Sequence, residues 1–153
     1  MKLLLILFAL LMPSLALAQN QVALTSDVLV ERTTTAPDGT TRVALEPPGV
    51  VTPGDKIVFV LRYNNASASP AADFVVTNPI PDSVQFEGTE SANAVYSVDG
   101  GQTWGALAAL SVRQPDGSSR AAAPADVTHV QWRFAQPIPA GQGGELRFRG
   151  TVK

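Results

Sequence analysis

Residues 52–65 read Thr52-Pro53-Gly54-Asp55-Lys56-Ile57-Val58-Phe59-Val60-Leu61-Arg62-Tyr63-Asn64-Asn65. Pro53 presets φ for a turn and Gly54 accepts a positive φ, so Thr52 to Asp55 reads as a tight reversal. After it, Ile57, Phe59, Leu61 and Tyr63 fall on one side, and Val58, Val60, Arg62 and Asn64 on the other. That period of two is a β-strand, and the first set is expected to face the core.

The same alternation, broken by Gly, Pro, Asn and Asp, runs outward in both directions. Upstream, Val28 and Val30 belong to a first strand, Pro37-Asp38-Gly39-Thr40 is a turn, and Thr41 to Leu45 returns as a hairpin that Pro47-Pro48 ends. Downstream, residues 66–72 read as a loop and Phe74 to Thr77 as a strand stopped by Asn78-Pro79-Ile80-Pro81. Val84 and Phe86 form a short strand; Ala94, Tyr96 and Val98 form another. Leu110 to Arg113 precedes a Pro-Asp-Gly turn at 115–117, and residues 118–125 read as an exposed loop. Val130, Trp132 and Phe134 then alternate with His129, Gln131 and Arg133. After a loop over 137–144, Leu146, Phe148 and Val152 form the last strand. About eight or nine strands with frequent turns predict an all-β fold, a single antiparallel immunoglobulin-like β-sandwich.

Several of these pieces, in this order, resemble the conserved-repeat domain of bacterial surface proteins, domain-of-unknown-function family eleven. They are Thr52 to Asp55, the strand to Tyr63 and Asn65. Then come Phe74-Val75-Val76-Thr77, Ile80-Pro81 and Val84-x-Phe86, and finally Trp132, Pro139-Ala140-Gly141 and Leu146 to Val152. Asn78 and Ser83 depart from the Asp and Gly usual in that family. The resemblance implies an immunoglobulin-like sandwich of the kind strung in tandem in envelope proteins. It spans residues 43–153, leaving 19–42 as an N-terminal strand and hairpin.

The first residues read as an address. Lys2 is followed by an unbroken apolar run, residues 3–12, and Ala16-Leu17-Ala18 gives a small-x-small cleavage pattern. This predicts a signal peptide over 1–18, removed before Gln19, and an exported product, periplasmic or extracellular at the cell surface. The run is too short to span a bilayer, and no later stretch is long enough, so no transmembrane segment is expected in the mature chain.

Composition narrows the functional classes. The 153 residues include no cysteine and one histidine, and carry a net charge of −2. Disulfides, cysteine nucleophiles and two-histidine metal motifs are thereby excluded. The acidic balance argues against nucleic acid as a partner. His129 and Asp126, three residues apart at a strand entrance, are expected on opposite faces rather than in a triad, with His129 facing solvent. Asp73, Asp82, Glu87 and Glu90 flank one region but lack the spacing of a calcium loop. No catalytic, cofactor-binding or metal-binding residues are therefore expected, and no enzymatic activity. Asn65-Ala66-Ser67 fits a glycosylation sequon, relevant only in a eukaryotic secretory host.

Two features remain. Ser97-x-Asp99-x-Gly101-x-Thr103-Trp104 matches the Asp-box, a hairpin motif of sialidase propellers. A propeller needs repeated blades and one box stands here, so the five residues are expected to hold a hairpin. The second is basic. If residues 57–64 and the last two strands share one sheet, its outward face carries Arg62, His129, Arg133, Arg147 and Arg149. This face would dock an envelope protein or an anionic polysaccharide. The opposed reading is a solvated face whose arginines pair with Glu145 and other acids. The function expected is that of a non-enzymatic exported module of the bacterial cell envelope, acting by structural contact or adhesion. The alternative is a small carbohydrate-binding or glycan-acting protein using Trp104, Tyr96 and Trp132.

Overall fold

A computed structural model describes residues 22–153. The signal peptide expected over 1–18 lies outside the described residues. The described residues are all-β, with ten strands: β1 Val22–Thr35, β2 Thr41–Glu46, β3 Lys56–Asn65, β4 Val75–Pro79, β5 Val84–Thr89, β6 Ala94–Ser97, β7 Ser111–Arg113, β8 Ser119–Ala121, β9 His129–Arg133 and β10 Gly143–Val152. All pairings are antiparallel. One sheet has the order β2-β1-β3-β10-β5, a second the order β4-β9-β6, and β7 and β8 form a separate two-stranded ribbon.

The long stretch around Ile57 is central because both its neighbours are long: β1 pairs with it from Val22 to Val30, and β10 from Gly143 to Thr151. Ile57, Phe59 and Leu61 join Val30, Leu146 and Phe148 from this sheet with Val76, Val130 and Trp132 from the other in one buried cluster. Phe59 and Phe148 face each other across the strands with stacked rings 4.4 Å apart. Trp132 closes the layer from the opposite sheet, 6.2 Å from Phe148. Burial of such rings is the main source of stability in a sandwich of this size.

Two expectations are overturned by the sheet pairing. The strand carrying Trp132 does not share a sheet with 57–64 and the last strand: β9 pairs with β4 and β6. Residues 118–125 are not all loop, since Ser119–Ala121 pairs with Ser111–Arg113. Its residues, Ser119, Arg120 and Ala121, are all exposed, so no apolar alternation marks the strand, and the Pro115-Asp116-Gly117 turn sets the pairing. Val58 and Val60 point to the outer side, as the alternation predicts, yet they are as buried as the core-facing set.

Asn65 ends β3 and is fully buried. Its Nδ2 donates to the carbonyls of Ser69 at 2.8 Å, Ile138 at 2.9 Å and Pro139 at 3.3 Å. Its Oδ1 accepts from Ser67 N at 3.1 Å and Ser67 Oγ at 2.7 Å. One amide thus ties two loops to the end of the central strand, and in the folded chain it is closed to any sequon chemistry.

Candidate functional site

The five predicted basic residues separate into two groups. Arg62, Arg147 and Arg149 lie on the outer face of the five-stranded sheet, where Lys56, Asp27, Glu31 and Glu145 also point. His129 and Arg133 lie on the outer face of the three-stranded sheet. The sandwich core stands between them, so no single partner surface joins all five.

On the larger face the charges are paired. Arg62 bonds Asp27 and, at 3.0 Å, Glu145. Arg147 bonds Glu145. Arg149 bonds Glu31 and, at 2.9 Å, Glu90. Lys56 bonds Glu87, whose carboxyl this pair and Thr151 hold below the usual carboxylate range. Arg149 sits on β10 and Glu31 on β1, with β3 between them. Their ion pair must therefore cross β3, where Val58 stands beside Arg149. The long arginine side chain lays its apolar stem over the strand and keeps its charged end outward. Val58 is thereby closed off from solvent, and Val60, equally buried, has Arg147 and Asp27 as its cross-strand neighbours. Replacing Arg149 with Ala is expected to cost about 1 kcal/mol, mostly through uncovering Val58 and less through the exposed ion pairs. Urea titration of the variant measures it, and a loss of zero would show that Val58 is covered by something else.

Where the charges end, apolar residues are exposed. β1 and β2 continue past the body of the sheet as a two-stranded ribbon, since β2 pairs only with Val30 to Thr35. Val43 on it is 64% exposed, Leu45 is at the margin of exposure, and Val50 just after it is 86% exposed. Single exposed apolar residues are ordinary, but several on one projecting element are a recurrent mark of a contact surface. No periodicity distinguishes Val43 and Leu45 from core residues, so sequence reading does not single them out.

The Asp-box residues form one hydrogen-bonded tip. Asp99 Oδ1 accepts from Gln102 N at 3.1 Å, Thr103 N at 2.9 Å and Ser97 Oγ at 2.7 Å. Ser97 Oγ in turn accepts from Gly101 N at 2.9 Å. Gly101 has φ +89°, and a Cβ there would meet the Trp104 ring at 3.6 Å. Trp104 is half-buried, edge-on to His129 with ring centres 6.2 Å apart. The backbone and hydroxyl donors, led by Thr103, lower the Asp99 pKa to about 2. Asp126 is also lowered to about 2, first by its two bonds to Arg120 at 2.6 Å. A depressed carboxyl contributes stability that is present above its ordinary pKa of 3.8 and lost as pH falls towards 2. Thermal melts of the wild type are expected to hold level above about pH 5 and to decline between about pH 4 and 2. The Asp99→Asn variant should decline less over that window. An equal acid decline in both proteins would remove Asp99 from the account.

Asp126 and His129 do not lie on opposite faces as expected. Asp126 sits in a 3-10 turn, Pro124–Asp126, instead of an extended strand. Both residues line a cleft of about 310 Å³ with Asp82, Thr128 and Lys153. The Asp126 oxygens are nonetheless taken by Arg120 and by Ala123 N, and His129 Nδ1 lies 3.1 Å from Thr128 Oγ1. The cleft holds no serine, and the Asp–His relay of a triad is not assembled. Of the acids considered for a cation, Glu87 and Glu90 are engaged by Lys56 and Arg149. Among the described residues no three His, Asp or Glu side chains gather at metal-binding distance.

Of the aromatic residues considered for sugar stacking, Trp132 is 1% exposed and Tyr96 packs against Phe86. A different aromatic pair borders open space. Tyr63 and Phe134, edge-to-face at 4.8 Å, line a shallow groove of about 480 Å³ with Gln136, Gln142 and Pro137.

Among the described residues no helix is long and apolar enough to cross a membrane. Compared with known proteins, the chain matches no family model, no curated protein and no solved structure.

Proposed function

We propose that this protein is a non-enzymatic, exported β-sandwich module of the bacterial cell envelope that works by contact. The projecting β1–β2 ribbon carries this reading, with Val43, Leu45 and the following Val50 presented to solvent. The apolar run and cleavage pattern of residues 1–18 support export. The resemblance of residues 43–153 to the conserved-repeat surface domain supports an immunoglobulin-like kinship and an envelope setting. The arginines of the sheet face are already paired with Asp27, Glu31, Glu90 and Glu145, so an apolar or mixed partner fits better than a purely anionic one.

Binding of the mature chain to isolated bacterial envelope tests the reading. Val43→Glu together with Leu45→Glu is expected to weaken binding about tenfold or more, while charge reversal at Arg147 and Arg149 changes it little if the fold is intact. Binding that ignores the ribbon and follows the arginines would transfer the contact to the sheet face.

A second reading, glycan binding, is favoured by the Tyr63–Phe134 groove, where aromatic rings stand beside the amides of Gln136 and Gln142. Loss of sugar binding in a Phe134→Ala variant, with the ribbon variants unaffected, would favour it.

A further inference from the structure

The five-stranded sheet has an open step in its edge. β3 pairs with β1 from Val22 to Val30, but β2 pairs with β1 only from Val30 onwards. Pro47 and Pro48 follow Glu46 and cannot extend that ladder. Among the described residues, Val22–Leu29 therefore has a strand neighbour on one side only. Alternate residues of an antiparallel strand turn N–H and C=O to opposite sides, so half of this segment's backbone groups face outward with no strand to accept them.

The edges at β5, β4 and β6 are protected. β5 is short, has a register shift opposite Arg149 and Gly150, and β4 ends in Pro79. β6 is only four residues long and its Tyr96 bridges to Gly105. Val22–Leu29 has no Pro, Gly or Lys, and its one charge, Asp27, is neutralised by Arg62. Leu24, on the core side opposite Tyr63, is 46% exposed. Devices that ordinarily stop strand addition are missing where the edge is longest.

We infer that this step pairs with the same segment of a second copy, antiparallel about a two-fold axis at Thr25. Facing residues in an antiparallel pair share a sheet face, which limits the axis to a residue position. With the axis at Thr25, Val22 faces Val28, Leu24 faces Ser26 with Val28 on its diagonal, and Ala23 faces Asp27. The threonines face each other, a favourable cross-strand pair. Moving the axis to Ser26 would set Val22 against Val30, whose edge Glu46 already occupies. Moving it to Asp27 would set two carboxylates face to face. Moving it to Leu24 would pair only Val22–Ser26 among the described residues, so the register centred on Thr25 pairs more of the open step, buries the exposed Leu24 and joins the two five-stranded sheets into one. This deepens the contact reading and rests on it only in treating the edge as a working surface.

The absence of cysteine from the chain allows a clean test. Facing residues lie about 4.5–5.5 Å apart at Cα, within the range a disulfide spans. Thr25→Cys is expected to give a covalent dimer in near-quantitative yield under mild oxidation. Ala23→Cys should stay at background, because its own counterpart lies four residues, ~13 Å, along the strands. Sedimentation of the wild type should give twice the chain mass, and Thr25→Lys should return it to the monomer with an unchanged circular dichroism spectrum. If Thr25→Lys does not fold, the two cysteine variants still decide. A monomer at every concentration, or equal cross-linking of both variants, would overturn the inference. A monomer that still binds envelope through Val43 and Leu45 would end the edge pairing and leave the contact reading standing.

Discussion

Replacing Trp132 with Ala is expected to remove about 3–5 kcal/mol of stability, a large part of the roughly 5–15 kcal/mol a domain ordinarily has. The ring is 1% exposed, lies on the middle of β9, and meets Phe148 across the core. From the three-stranded sheet it packs over the stacked Phe59 and Phe148, so its truncation leaves a large void between the sheets. Trp132→Phe should cost far less. The indole Nε1 is buried without a hydrogen-bond partner, a state that costs about 1–3 kcal/mol, so removing that donor offsets part of the lost packing. Urea unfolding of both variants, compared at equal slopes, checks the pair. Equal losses for Ala and Phe would mean that the N–H has an acceptor and that the ring is held by more than packing.

Asn65→Asp is expected to be comparably severe at neutral pH, at least about 3 kcal/mol, with almost no change in side-chain volume. The three carbonyls of Ser69, Ile138 and Pro139 now receive the amide's N–H groups. A carboxylate would point a charged oxygen at them instead, in a fully buried site. Burial raises the pKa of such a group, so the penalty is present above the raised value and shrinks as pH falls and the carboxyl protonates. Melting temperatures at pH 7 and pH 4.5 provide the measurement: the gap between variant and wild type should narrow at the lower pH. A gap that stays constant would show that the damage comes from lost loop geometry and not from charge. Asn65→Ala should also destabilise, without the pH dependence.

Local chemistry was readable along the chain. The reversals at Pro37-Asp38-Gly39, Pro53-Gly54 and Pro115-Asp116-Gly117 depend on residues that preset or accept particular φ values, and Gly39, Gly54 and Gly117 all have positive φ. The alternation at Ile57 to Tyr63, Val130 to Trp132 and Leu146 to Phe148 depends on one strand's own geometry, and those inward residues are core residues. The Ser97–Trp104 tip is equally local, because every donor to Asp99 comes from within four residues. An all-β antiparallel chain was therefore determined by the sequence alone.

Sheet membership was not. The alternation of β9 reads the same whichever sheet it joins, so only the packed structure separates Arg133 and His129 from Arg62, Arg147 and Arg149. Nor does the pattern at Val58 reveal a cover, which depends on Arg149 reaching across β3 to a glutamate more than a hundred residues away in sequence. Two of the three carbonyls gathered at Asn65, those of Ile138 and Pro139, come from a loop more than seventy residues away, and the open edge of β1 follows from where two neighbours stop along it. Each of these is a relation between segments far apart in the chain, and a one-dimensional pattern records only what each segment prefers by itself.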